Sequence, residues 1–551
     1  MIRISLAGVV LAMASIAGCK EEPARPPSGG NSANKSAPSR ASTIASDELA
    51  ARLESAYRED KLTAGLAAAR EVADAGTSDI RLLGLAARAF YRAGYLAEAS
   101  QSISNVDTSK AEVPLLLIGA RLSRAQANLP LTERSLEMAR KVSADNPEVL
   151  NELVYLRMAQ RRYSDAAQAA ETLDRALASA SGYPVETLKS VNAGRAEFLK
   201  QAGTKPLNVV QHGAGKMAWT TIQDFQRPYV VEAKINGHGP YQLAIDLVGG
   251  TYVSLPPKLA EEAEITPVAN GTVLTLDGPR TAPWAVANSI ELGTARIERA
   301  ITRIFEEPAK LEYPPDGVIG IGVFAEQRAT LNRAARTPAE WQFEVGASGP
   351  LEPDAPPDRG TEPLFYLADN RPTFITQVEG RRALATIGSY IAVSSESLAL
   401  RLDLYPDTLP MGPPEKAGYP TPGVGSGLSE AHVGTSPSCL GRAWCVDAEF
   451  GGRGVPLSIA LDAPFNEMYI DRLLGTHPDV FYGVDITERM AKLIIDGPQR
   501  KVQIQWIHVP EPPASQPASA PAASPAQVSA PAPPVPAQDQ GFTPIDAQPP
   551  P

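Results

Sequence analysis

Asp246 is the side chain in this 551-residue chain whose surroundings best suit chemistry. It closes an alternating run in YQLAIDLVGGTYVSL, just ahead of Gly249 and Gly250. A carboxylate carried on a tight glycine loop can activate water if a second carboxylate beside it shares its proton. Strand side chains alternate between faces, so either Asp246 or Leu247 meets whatever the loop faces, and not both. Asp316 and Asp485 stand beside short apolar-Gly segments and read as turn or loop residues. Other motifs fail on their own terms. GAGK at 213–216 lacks the second half of the phosphate-loop pattern. GVGSG at 423–427 lacks the strand-to-helix setting of a nucleophile elbow. Cys439 and Cys445, even with His432, supply only three metal ligands at the wrong spacing. No metal and no cofactor is expected.

The elements that must position Asp246 are legible around it. Val231, Ala233 and Ile235 alternate with Glu232 and Lys234, and Leu243, Ile245 and Leu247 alternate with Gln242, Ala244 and Asp246. Asn236-Gly237 between the two runs is a hairpin signal. Short strand-like runs continue to QRATLN, and residues 346–363 read as a Pro- and Gly-rich linker. From Pro363 to about His508 the same order returns. RPTFITQVEGRRALATIGSYIAV repeats the hairpin and glycine loop, and VFYGVDITERMAKLIID repeats the apolar-Gly segment, with Gly483 at the glycine.

Upstream, residues 46–203 are rich in Ala, Leu, Glu and Arg, with apolar residues at helical spacing. AARAFYRAGYLAEAS and LRMAQRRYSDAAQAA look alike, and their tyrosines, Tyr95 and Tyr163, are 163 − 95 = 68 residues apart. That is twice the 34-residue period of a tetratricopeptide repeat, with Leu129 and Glu133 in the degenerate middle copy. Small residues such as Ala99 and Ala167 would let paired helices approach closely. Stacking would then bury faces that one helical hairpin cannot bury alone. A generic helical bundle is the other reading. Residues 205–227 read as a linker into the sheet region.

The hairpin, glycine loop and DGVIG at 316–320 together resemble the opening lobe of an aspartic protease of the retropepsin and pepsin type. The repeat of that order implies two lobes in one chain, at 229–343 and 364–508. The implied fold class is multidomain α + β: an N-terminal helical repeat region, then a mostly-β two-lobed aspartic-protease-like fold. The family places an Asp-Thr/Ser-Gly triplet on each lobe. In lobe two the triplet position reads Thr386-Ile387-Gly388, followed by Ser389, and a threonine hydroxyl cannot serve as the ionised base. In lobe one two registers compete. Counting back from the glycines gives Leu247-Val248-Gly249, with Leu247 at the aspartate position. Counting forward from the hairpin gives Asp246. The gapless Leu247 register is the favoured one. Either way at most one family carboxylate survives, and Gly249, Gly250, Thr251, Gly388 and Ser389 line the cleft loops. The resemblance thus implies a module without catalysis that holds an extended peptide or a protein partner. The alternatives are an active endopeptidase using Asp246, or an architectural module with the helical repeats binding the partner.

The ends carry addresses. Residues 1–18 resemble a lipoprotein signal peptide, with Arg3, an apolar run too short to span a bilayer, and Ile16-Ala17-Gly18-Cys19 similar to a bacterial lipobox. That resemblance makes Cys19 a lipidated first residue. Lys20 implies an outer-membrane lipoprotein facing the periplasm of a Gram-negative cell. Residues 19–45 read as a flexible tether, and 510–551 as a Pro/Ala-rich tail. In an exported protein Cys439 and Cys445 suggest a small disulfide loop, with two free thiols as the other reading. A net charge of −11 without a basic stripe disfavours nucleic acid as a partner.

Overall fold

The computed structural model describes residues 40–507 except 60, 105, 108–109, 183, 220–228, 276–277, 306–315, 334–340, 356–357, 379, 388–392, 395–443, 451–452, 462–479 and 483–489. Cys19, Cys439, Gly388, Ser389 and the 510–551 tail lie outside these residues, as does the side chain of Cys445.

Ten helices among the described residues run from Arg40 to Ala202. The first begins at Arg40, inside the stretch read as a tether, because Ala41, Ile44 and Ala45 extend the helical spacing upstream. The helices Ile80–Arg92, Val113–Ala125 and Pro147–Ala159 each have a following partner: Leu96–Ile103, Leu129–Val142 and Tyr163–Ser179. Their starts are 113 − 80 = 33 and 147 − 113 = 34 residues apart. Side-chain capping fixes two of these starts. Asp79 accepts from the amides of Arg81 and Leu82, and Asn146 from those of Glu148 and Val149, with Pro147 opening the helix. Ala99 and Ala167 are buried where the paired helices meet.

The β region begins earlier than the spacing suggests. Val209–Gln211 pairs with Ala295–Ile304, and Gly213–Trp219 pairs with Tyr229–Ile235 and Gln342–Gly346. The expected linker at 205–227 is therefore partly strand. GAGK lies within one of these strands. A side chain at Gly215 would press on the Leu292 carbonyl, at 2.9 Å. Arg359–Tyr366 likewise turns the end of the second expected linker into a strand, paired with Lys501–Trp506.

The strands that position the loop are labelled here in chain order. Lobe one has β1 (Tyr229–Ile235), β2 (His238–Asp246), β3 (Val253–Leu255) and β4 (Gly317–Gly320). Lobe two has β5 (Pro372–Val378), β6 (Arg381–Ile387) and β7 (Val480–Tyr482). β1 and β2 form the expected hairpin, and Asn236 and Gly237 both take positive φ, as a tight two-residue turn requires. β4 lies parallel to β2 and antiparallel to β3. In lobe two, β5 and β6 form the hairpin and β7 lies parallel to β6. A six-stranded antiparallel layer joins the lobes in the order Gly213–Trp219, Gln342–Gly346, Arg328–Asn332, Met490–Asp496, Lys501–Trp506, Arg359–Tyr366.

One continuous core runs through both lobes, from Val231, Ile245 and Leu247 to Phe374, Ile387 and Trp506. The helices join it through two further clusters. One gathers helical Leu and Ala side chains with Phe365, Leu367 and Leu384 of lobe two, and the other packs Tyr163, Phe198 and Leu199 against Trp284 and Ile301 of lobe one. Beside the first, Arg124 pairs with Glu152 at 3.0 Å and donates to the Leu367 carbonyl at 2.9 Å. Among the described residues no helix is long and apolar enough to cross a membrane.

Candidate functional site

Alternation along β2 decides which side chains reach the loop tip. Leu243, Ile245 and Leu247 enter the core and are fully buried. Leu247 is therefore a core side chain. The opposite face carries Ala244, Asp246 and Val248, as a period of two requires.

Asp246 sits at the end of β2, opposite Gly320 of β4. It is half-buried. Its Oδ1 accepts from the Val248 amide at 3.0 Å, and its carbonyl accepts from the Gly249 amide at 3.1 Å. Burial raises its carboxyl above the usual range, while the Arg371 guanidinium and the amides of Val248 and Gly249 pull the other way. No second carboxylate figures among these influences. Gly249 is required here: a Cβ would stand 2.9 Å from Asp246 Oδ2 and overlap Gly320 Cα.

Lobe two supplies Arg371 and Asp369, from the turn that leads into β5. Arg371 Nη1 donates to the Val248 carbonyl at 2.5 Å, and its charge reaches both Asp246 and Tyr252. Asp369, with φ of 57°, accepts a hydrogen bond from the Thr251 hydroxyl, and a side chain on Gly250 would collide with its carboxylate. The two glycines thus let the lobe-one loop slide between β4 on one side and this turn on the other. The sequence held no motif for Asp369 or Arg371. The Asp-Asn pair ahead of Pro372, which tolerates positive φ, was the available turn signal.

Thr386 lies on β6 opposite Phe481, one residue before Ile387 pairs with Tyr482. Ala383, Ala385 and Ile387 enter the lobe core, so Thr386 shares the opposite face with Leu384. Its hydroxyl donates to the Pro372 carbonyl at 2.9 Å, and the side chain is 1% exposed. It fastens one strand to the next. Among the described residues, Thr251 is the expected cleft residue whose side chain bonds across the lobes.

The residues around the loop also meet the helical region. Val248 packs against the cluster shared by the helices and lobe two, and Tyr252 against the cluster shared by the helices and lobe one. Asn208, just past the last helix, donates to the Thr251 carbonyl at 2.7 Å. Among the described residues no group of three His, Cys, Asp or Glu side chains is placed to hold a metal ion.

This arrangement is that of an aspartyl-protease-like domain. A family model described as Aspartyl protease matches residues 231–323, which hold β1 from Val231 onward, β2 to β4 and the loop. Among solved structures the chain is similar to basic 7S globulin from soybean, at 10% identity, over 54% of this chain and 94% of that one, with a TM-score of 0.30. It is also similar to a retropepsin-like aspartic protease from Rickettsia conorii, at 12% identity, over 25% of this chain and 93% of that one, with a TM-score of 0.18. No curated protein matches the chain.

Proposed function

We propose that this chain is a binding protein built on an aspartic-protease-like module that does not hydrolyse peptides. The observation that carries the reading is Arg371. Where the family chemistry needs a second carboxylate beside the first, the charge that acts on Asp246 from lobe two is a guanidinium. An arginine beside the acid favours its ionised form but offers no proton to a carbonyl oxygen at working pH. In this reading Asp246, not Leu247, holds the family's aspartate position. Thr386, expected at the matching position of lobe two, stands opposite Phe481 and is not an acid, so lobe two supplies no carboxylate there.

The partner is an extended peptide or a protein. The helical region is its seat, in the manner of tetratricopeptide-like repeats. The 33- and 34-residue spacing of the helix pairs supports this. So does a cavity of about 380 Å³ lined by Tyr57, Leu85, Arg88, Pro147, Val185 and Leu188. The cleft between the lobes is the less favoured seat, because the helical region packs beside its loop. The protein is anchored by a lipid on Cys19 at the periplasmic face of an outer membrane, and Cys439 and Cys445 form a disulfide.

A second reading is an active endopeptidase in which Asp369 partners Asp246, favoured by the bond between Thr251 and Asp369 across the lobes. One experiment separates the two. Reduced, carboxymethylated casein is incubated with the full chain, and binding is followed by fluorescence anisotropy and fragments by mass spectrometry. Binding without fragments supports the first reading. Fragments that vanish in Asp369→Asn support the second. Palmitate labelling lost in Cys19→Ser tests the anchor.

A further inference from the structure

Two buried arginines meet at the joint between the helical region and lobe one, and neither has an acidic partner within ion-pair distance among the described residues. Arg303, on the strand Ala295–Ile304, is 4% exposed. Its guanidinium stacks 3.6 Å from the centre of the Trp284 ring and donates through Nη2 to the Thr272 carbonyl. Arg195 opens the helix Arg195–Ala202 and is also 4% exposed. It lies 4.7 Å from the centre of the Tyr155 ring, with long hydrogen bonds to Tyr155 Oη at 3.3 Å and Asn151 Oδ1 at 3.5 Å. The Nε–H of each is buried without an acceptor.

Such a pair is costly. A buried cation is destabilising unless an anion or good acceptors compensate it, and two together repel. Burial is the main cause that pulls the Arg303 guanidinium down to about 10, and the charge of Arg195 adds to it, against Tyr252 and Asp369. Asp369 is already engaged by the Thr251 hydroxyl. Stacking on an aromatic face leaves the in-plane N–H donors of a guanidinium to face a carboxylate, and here the Nε–H of each arginine is the donor still without an acceptor.

We propose that Arg195 and Arg303 form a binding site for a carboxylate ligand at the joint between the helical region and the first lobe. The ligand's oxygens accept from the guanidinium edges, and Trp284 and Tyr155 hold those edges in place from their faces. A carboxylate bound there joins the Arg195–Ala202 helix to the strand Ala295–Ile304, and so couples occupancy to the seating of the helical region. The assignment is independent of how a peptide is bound or whether one is cut.

The test uses the full chain with acetate as the probe. Thermal unfolding and titration calorimetry are run with sodium acetate, sodium phosphate and sodium chloride at equal ionic strength and neutral pH. Acetate should raise the unfolding temperature saturably, with chloride inert and phosphate weaker. Arg303→Met and Arg195→Met should each weaken acetate binding at least tenfold. Arg303→Lys and Arg195→Lys keep the charge, lose the fork, and should show the same weakening with unchanged circular dichroism. An acetate effect no larger than that of chloride, tighter binding of phosphate, or unweakened acetate binding in both lysine variants would overturn the proposal.

Discussion

Replacing Asp246 by asparagine removes one titrating group from the loop and keeps an oxygen for the Val248 amide. The sign of its effect follows from the balance at the site. Burial raises the carboxyl of Asp246 in the folded chain, and Arg371 only partly offsets it. The folded state therefore holds this proton more tightly than the unfolded state, where an aspartate titrates near 3.9. The stabilising contribution is complete below about pH 3.9 and is lost as pH rises through the higher folded value. Between the two values the wild type loses stability relative to Asp246→Asn by at most about 1.4 kcal/mol per pH unit, the limit for one proton. Urea unfolding of both proteins, followed by circular dichroism in half-unit steps from pH 3.5 to 7.5, measures the difference directly. It should fall with pH and then level off, leaving the asparagine variant the more stable at neutral pH. A difference that rises with pH would show that Arg371 outweighs burial and would refute the electrostatic account of the loop. In an Arg371→Met background the fall should extend to higher pH, because the opposing charge is gone.

Three further outcomes follow from the same structure. Arg124→Met breaks the buried contact with Glu152 and the bond to the Leu367 carbonyl. It should cost about 3 kcal/mol in urea unfolding and raise hydrogen exchange around Leu367. Gly320→Ala puts a Cβ into the Gly250 carbonyl and 2.9 Å from the Gly249 carbonyl carbon. Overpacking of about 1–3 kcal/mol should lower the unfolding temperature and disorder the acidic loop in amide exchange. Ser190→Ala with Thr272→Val removes the hydroxyl contact at 2.9 Å and the Thr272 bond to the Ser190 carbonyl at 2.7 Å. At about 1 kcal/mol per bond, the pair should cost up to about 2 kcal/mol in urea unfolding and speed exchange in the hairpin Thr272–Thr275 and Gly278–Thr281, whose two strands pair with each other.

The sequence displayed what depends on local pattern. Alternation in YVVEAKI and YQLAID, with Asn236-Gly237 between, specified the hairpin, and the helical spacing specified the helices before it. The aspartyl-protease-like lobe and the α-then-β order were legible for the same reason. What failed depended on partners distant in sequence. The strand Gly213–Trp219 has little apolar alternation and exists because Gly215 admits the approach of Leu292 and because Gln342–Gly346 lies beside it. Leu247 and Asp246 could not be ranked by counting, since an extra loop residue shifts the count by one while the core accepts only the apolar side chain. Arg371 and Asp369 reach the loop from more than a hundred residues away. Arg195 and Arg303 read as ordinary charged residues until folding buries both. The expectations of a lipid anchor, a periplasmic address and a disulfide fall on residues outside those described.

The central claim is that the acidic loop has no proton-sharing partner. It is tested most directly by incubating the purified full chain with denatured casein from pH 3 to pH 7, with and without pepstatin, and counting new N-termini by mass spectrometry. The account predicts none above those in an Asp246→Asn control at any pH. Pepstatin-sensitive cleavage that disappears in the control would contradict it.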